Sequence, residues 1–134
     1  MTHIAVVDTH ALIWFALGRR KRLGRRALAF LDRVEAGDAA AWVPALVLVE
    51  VLEAAHRGVI RLAGGSEAWV QCLVSSGSWF VADLTADVAL GADSLYGIPE
   101  RGDRLIAATA VHLDLPLVTR DPAIARAAGV ARLW

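Results

Sequence analysis

Cysteine and lysine are nearly absent from the 134-residue chain, which contains one of each, Cys72 and Lys21. A single cysteine excludes an intrachain disulfide, and no Cys/His spacing typical of zinc sites occurs. We therefore expect Cys72 to be a core residue. The common DxD phosphatase motif is also missing, because His10 stands two residues after Asp8 in place of the second aspartate and no lysine is suitably placed.

Long hydrophobic runs are missing too. The longest uncharged apolar stretch, residues 39–49, has 11 residues and contains Pro44, whereas a membrane span needs roughly 20. The first residues carry no basic segment of the signal-peptide type, so we expect a cytoplasmic protein without a membrane segment. A mean hydropathy of +0.49 and five tryptophans predict either tight internal packing or an apolar surface covered by a partner or a second copy.

The chain has no excess charge of either sign, since 14 basic residues balance 14 acidic ones. Global attraction to nucleic acid is therefore not implied. The basic residues are unevenly distributed, however, and six of them fall within residues 19–26. Four of these, Arg19, Arg20, Lys21 and Arg22, are candidate contacts for RNA phosphates. A solvated basic helix end is the alternative.

Short, continuously apolar runs alternate with segments of helical periodicity. The runs predict strands at residues 4–7, 41–43, 78–82, 116–119 and 130–134. The periodic segments predict helices at 11–17, 26–34, 45–56, 86–95 and 104–113, with two more beginning after Ser66 as N-cap and after Asp121-Pro122. This order predicts one α/β domain over residues 1–134, with a mostly parallel sheet of four to five strands between layers of helices.

Four carboxylates lie inside or at the ends of the most apolar segments: Asp8, Glu50, Asp103 and Asp121. Burying an ionised carboxylate without a partner costs several kcal/mol, so acids in such places are paired, hydrogen-bonded or bound to metal. Asp8 and Asp121 follow predicted strands, and ligands bind beyond the carboxyl ends of the strands in such sheets. We therefore expect the four acids to converge.

Converging carboxylates need a hard cation, and Mg²⁺ or Mn²⁺ fits best. Such a metal lowers the pKa of bound water and neutralises charge on a phosphate, so the acids point to phosphodiester hydrolysis. Simple helix caps remain the alternative for Asp8, Asp103 and Asp121, and a buried pair with Arg104 remains the alternative for Glu50. Thr9 and Thr119 flank the acids and could orient them through hydrogen bonds.

The segments VDTHALIW, the helix with Glu50, GDRLIAATA and LPLVTRD, in this order, resemble the PIN-domain ribonucleases of the VapC toxin type. The resemblance covers essentially the whole chain. It implies a compact α/β domain, Mg²⁺- or Mn²⁺-dependent endoribonuclease activity, dimers and inhibition by an antitoxin. The family's acidic ligands map onto Asp8, Glu50, Asp103 and Asp121.

One loop departs from this resemblance. Many relatives carry an Asp-Pro run before the third acid, whereas this chain has Glu100-Arg101-Gly102. Glu100 could therefore approach the metal or lie in solvent, and we expect it to lie in solvent. Two other functions stay open: a PIN nuclease of RNA processing, and a PIN module that binds RNA or protein without catalysis. Because such modules often lose acids and this chain keeps all four, catalysis is favoured.

Overall fold

All 134 residues, Met1–Trp134, are described by a computed structural model. Five strands alternate with seven α-helices and one 3₁₀ turn. In chain order the elements are β1 (Ile4–Val7), α1 (Thr9–Ala16), the 3₁₀ turn (Arg20–Arg22), α2 (Arg25–Glu35), β2 (Ala40–Pro44), α3 (Ala45–His56), α4 (Ser66–Ser75), β3 (Trp79–Ala82), α5 (Ala86–Asp93), α6 (Arg101–Leu113), β4 (Leu117–Val118), α7 (Pro122–Ala128) and β5 (Arg132–Leu133).

The strands form one fully parallel sheet in the order β3-β2-β1-β4-β5. In β1, Ala5, Val6 and Val7 are all buried. Because successive strand residues point to opposite faces, this burial shows that helices cover both faces of the sheet. The three-layer α/β architecture is therefore confirmed.

The chain moves from β1 outwards to β2 and β3, and then returns to pair β4 with the other side of β1. This reversal creates a topological switch point between β1 and β4. In open α/β sheets the crevice beyond the strand ends at such a point is where ligands bind. No helix of the chain is both long and apolar enough to cross a membrane.

Four predicted helix starts were wrong. Helices α1 and α2 begin two residues and one residue before their predicted starts at residues 11 and 26. Helix α6 begins at Arg101, three residues before the predicted start, so Gly102 and Asp103 belong to its first turn, and Gly102 lies against Glu50. Helix α4 begins at Ser66 itself, with Gly65 as its N-cap and no side-chain cap.

The prediction for the cysteine was also wrong, since Cys72 is exposed on α4. No residue of α4 is fully buried. This helix contacts the edge strand β3. Its Trp69 and Leu73 are partly buried against the core, whereas Cys72 is exposed.

Candidate functional site

Asp8 lies at the topological switch point. Its backbone amide donates to Val118 O of the neighbouring strand at 3.1 Å, and its Oδ1 accepts the Ala11 amide at 2.9 Å as the N-cap of α1. Burial raises the pKa of this carboxyl and the nearby Glu50 charge adds to the rise. Hydrogen bonds from Thr119 and Ala11 and the neighbouring His10 act in the opposite direction without cancelling it. Asp8 is thus a helix cap, as the alternative interpretation predicts, but capping alone does not compensate the charge of its buried carboxylate.

Glu50 reaches the same region from helix α3. The Thr9 hydroxyl donates to its Oε1 at 3.0 Å, so the buried Thr9 at the start of α1 fixes the carboxylate of an element 41 residues away. Arg104, the alternative partner of Glu50, lies elsewhere: its Nη1 donates to Ile98 O and Pro99 O at 2.9 Å each, and its guanidinium covers the Tyr96 ring. Glu50 therefore has no basic partner.

Asp103 lies in the first turn of α6, and its pKa is raised to about 6. Burial is the largest cause, followed by the charge and hydrogen bond of Glu100 and then by the charges of Asp8 and Glu50. The structure therefore brings Asp8, Glu50 and Asp103 close enough to repel one another. Glu100 has an exposed position, as expected, but its carboxyl contacts Asp103 instead of extending away into solvent.

Asp121 lies at the rim of this group. It is exposed, its Oδ1 accepts the Ala123 amide at 2.8 Å as the N-cap of α7, and its own amide donates to the Thr119 hydroxyl at 3.3 Å. The raised pKa values of Asp8 and Asp103 are not caused by Asp121. Asp121 is thus near the site, but its charge does not raise the pKa of the other acids.

An open cavity of about 520 Å³ joins three of the four acids, and we refer to it as the acid cavity. Its lining residues are Asp8, His10, Trp14, Glu100, Asp103, Thr119, Arg120, Asp121, Pro122 and Ile124. Sequence reasoning missed His10, Trp14 and Arg120 as parts of this site. The available signals were their places beside Asp8 on α1 and beside Asp121, but neither position alone separates a site residue from a surface one.

The donor chemistry fits a hard divalent cation. The acids are carboxylates that repel one another, and the only side-chain ion pair of the chain, Arg20 with Asp32, lies elsewhere. Oxygen donors of this kind suit Mg²⁺ or Mn²⁺. As the side chains stand, no three His, Cys, Asp or Glu side chains form a group that could hold a metal ion.

The basic tract does not form one surface. Arg20 makes a two-pronged ion pair with Asp32, at 2.8 and 2.7 Å, and Arg19 lines a cavity beside the loop that follows α3. Lys21 and Arg22 line a different cavity, together with Arg120. The four predicted RNA contacts therefore point to three separate places.

The chain resembles several solved structures. Solved structures with the same fold include VapBC2 from Rickettsia felis bound to a DNA fragment from its promoter, with a TM-score of 0.71 and 15% identity over 96% of each chain. They also include FitAcB from Neisseria gonorrhoeae, with a TM-score of 0.62 and 22% identity over 98% of this chain and 96% of that one.

A toxin-antitoxin complex from Klebsiella pneumoniae matches with a TM-score of 0.57 and 20% identity over 87% of this chain and 86% of that one. At these identities the likeness concerns the fold. A search of curated protein sequences gives no significant match. The PIN domain family, in contrast, matches residues 5–130, nearly the whole chain, and the protein therefore belongs to the PIN domain family.

Proposed function

We propose that the chain is a divalent-metal-dependent endoribonuclease and the toxin of a toxin-antitoxin pair. The observation that carries the proposal is the group of Asp8, Glu50 and Asp103, three carboxylates without a basic partner at the switch point of a PIN domain. Ionised acids without a partner at these positions would destabilise the fold, and a bound cation would compensate their charge.

Asp8, Glu50 and Asp103 would hold Mg²⁺ or Mn²⁺, with Asp121 as a further ligand from the rim. When bound, the metal lowers the pKa of water and neutralises charge on the phosphate under attack. The chain's own residues orient the ligands. The Thr9 hydroxyl holds Glu50, while the Ala11 amide and the Thr119 hydroxyl hold the carboxylate of Asp8. In the proposed reaction water attacks phosphorus in line and releases 3′-hydroxyl and 5′-phosphate ends.

The direct test compares RNA cleavage by wild type and Asp8→Asn, with Mg²⁺, with Mn²⁺ and with EDTA. An asparagine keeps the Oδ1 acceptor that caps α1, so the variant should fold, while cleavage should fall by at least about a hundredfold. Asp38→Asn, at an exposed loop position, is the matched control. Equal cleavage by wild type and Asp8→Asn, or full cleavage in EDTA, would refute the proposal.

An antitoxin partner is proposed because two of the structurally similar proteins are solved as VapBC2 and as a toxin-antitoxin complex. Expression in a bacterial host checks this part separately. Wild type should arrest growth and Asp8→Asn should not. A host that grows equally well with both, while the purified wild type cleaves RNA, would favour a nuclease of RNA processing over a toxin.

A second copy of the chain is the other proposed partner. Leu84, Leu90 and Tyr96 lie on or beside α5 and leave 54, 69 and 68% of their surfaces exposed. Apolar side chains grouped in this way are typical of an interface. Light scattering should give twice the 14.3 kDa mass of one chain, and Leu90→Asp should return the mass to that of the monomer.

A further inference from the structure

A second cavity, with basic walls, adjoins the acid cavity. It has a volume of about 430 Å³ and is lined by Lys21, Arg22, Leu23, Gly24, Arg120 and Trp134, and we refer to it as the basic cavity. Arg120 lines both cavities. We propose that the basic cavity binds a backbone phosphate of the RNA strand, adjacent to the phosphate that is cleaved in the acid cavity. The inference rests on the proposed function for its choice of RNA.

Two arginines of this cavity, Arg22 and Arg120, lie over the buried ring of Trp14. The guanidinium carbon of Arg22 lies 5.8 Å, and that of Arg120 6.0 Å, from the centre of the Trp14 ring. Trp14 is only 8% exposed and packs edge-on against Trp134 at 6.1 Å, so the ring is a fixed platform. A guanidinium held on an aromatic face loses less conformational freedom when it binds an anion.

The positive charges of the cavity are not compensated within the chain. Lys21, Arg22 and Arg120 have no carboxylate partner, whereas neighbouring Arg20 is neutralised by Asp32 and the guanidinium of Arg132 is occupied by Arg120 O at 2.7 Å. Other surface arginines also lack partners. What distinguishes Arg22 and Arg120 is that both lie over the Trp14 ring and line the same cavity, so that both would attract an anion bound in that cavity.

The backbone around the cavity is fixed by close packing. Leu23 is buried, and Gly24 lies so near the C-terminal residue that a Cβ would come within 2.5 Å of Trp134 C and of its ring. On the other side, Arg120 follows β4 between Thr119 and Asp121. The side chains that line the basic cavity therefore extend from anchored backbone next to the switch point, as a preformed subsite requires.

The acid cavity and the basic cavity share Arg120, which favours a ligand long enough to occupy both. A single RNA strand that crosses the acid cavity passes Arg120 and carries its neighbouring phosphate to Arg22 and Lys21. The planar fork of arginine matches phosphate oxygens two at a time. An acidic protein segment would offer carboxylates instead of phosphates, so a polyglutamate peptide should bind more weakly than RNA of equal charge.

The test measures binding without cleavage. Wild type and the Arg22→Gln/Arg120→Gln variant are titrated with a 12-nucleotide single-stranded RNA in EDTA over a series of salt concentrations. Arg57→Gln/Arg61→Gln removes the same charge from exposed positions outside the cavity and is the matched control. The slope of log K against log salt should decrease by about 0.7 in the cavity variant, since both arginines contact one phosphate and each neutralised phosphate of a single strand contributes about 0.7. The control should change little.

The outcomes separate this proposal from the proposed function. Equal slopes for the cavity and control variants, or no RNA binding by wild type, would overturn the phosphate subsite. Stronger binding of a polyglutamate peptide of equal charge would overturn it in favour of an acidic protein segment. If wild type shows the expected slope but cleaves no RNA with Mg²⁺ or Mn²⁺, the nuclease proposal fails and the subsite stands. Circular dichroism and Tm of the variants confirm that each is folded.

Discussion

At the scale of single residues, the acids differ in what their charge costs. Asp121 caps α7 from an exposed position, where its charge remains solvated. Asp8 also caps a helix, α1, but its burial raises the pKa of the carboxyl, and the pKa of Asp103 is raised to about 6. Capping alone would be served as well by asparagine. The raised pKa values of Asp8 and Asp103 therefore point to a function beyond helix capping.

Replacement of Asp103 by Asn should stabilise the protein in the absence of divalent cations. The folded-state pKa of about 6 lies above the ordinary aspartate value of 3.8, so the folded chain holds this proton more tightly than the unfolded chain. Wild-type stability therefore falls as pH rises from about 4 to about 6 and stays low above that. Asp103→Asn removes this loss and should gain about 1 kcal/mol at pH 7.5, after allowance for solvent screening.

Urea unfolding in EDTA at pH 4 and pH 7.5 measures this difference. The gain should be present at pH 7.5 and should shrink at pH 4. Asp38→Asn, at an exposed loop position, controls for the loss of one negative charge. A gain of equal size at both pH values would show that the carboxylate is not the cause.

Thr9 should act through Glu50. Its hydroxyl donates to Glu50 Oε1 at 3.0 Å, and hydrogen bonds of this kind to a ligand's carboxylate typically change metal affinity or activity by about 10- to 100-fold. We expect Thr9→Val to weaken Mn²⁺ binding within this range and Thr9→Ser, which keeps the hydroxyl, to restore most of it. Isothermal titration with Mn²⁺ gives the affinity independently of cleavage. Equal weakening by valine and serine would assign Thr9 to packing.

At the scale of elements, Gly24, which lies between the 3₁₀ turn and α2, contacts the C-terminal residue Trp134. Gly24 has an ordinary negative φ of −64°, so its backbone would accept any residue, but a Cβ would overlap Trp134. Gly24→Ala should therefore destabilise the protein by about 1 to 3 kcal/mol through overpacking. Thermal unfolding measures the effect, and Gly97→Ala, where no atom lies within 4 Å, is the control.

The double variant Gly24→Ala/Trp134→Ala isolates the cause. Removal of the indole gives the new methyl group room on one side, so the two changes should cost less together than the sum of their separate costs. Strictly additive costs would show that Gly24 matters for a reason other than its contact with Trp134.

At the scale of the whole molecule, local sequence patterns predicted the order of elements and the parallel sheet, because short apolar runs and helical periodicity report burial directly. What they could not predict depends on contacts between distant segments. Gly102 of α6 lies against Glu50 of α3, and Glu100 contacts Asp103 instead of extending into solvent. The basic tract divides because Asp32 of α2 binds only Arg20.

The convergence of the acids is also a property of the whole molecule. Asp8 follows β1, Glu50 belongs to α3 and Asp103 to α6. The unfolded chain holds these three residues far apart, so a cation that needs all of them binds only the folded state. Binding should therefore stabilise the entire fold and not only the loops around the site.

Thermal unfolding with increasing Mg²⁺ or Mn²⁺ measures this coupling. At 100 times the dissociation constant, binding contributes about 2.7 kcal/mol, which corresponds to a rise in Tm on the order of 10 °C for a chain of this size. The Asp8→Asn/Asp103→Asn variant should be more stable than wild type in EDTA, because repulsion is relieved, and should gain nothing from the metal. The Tm curves of the two proteins should thus cross as metal is added, with NaCl of equal ionic strength as the control. Parallel curves would mean that the cation acts by screening alone and that these acids do not form a common metal site.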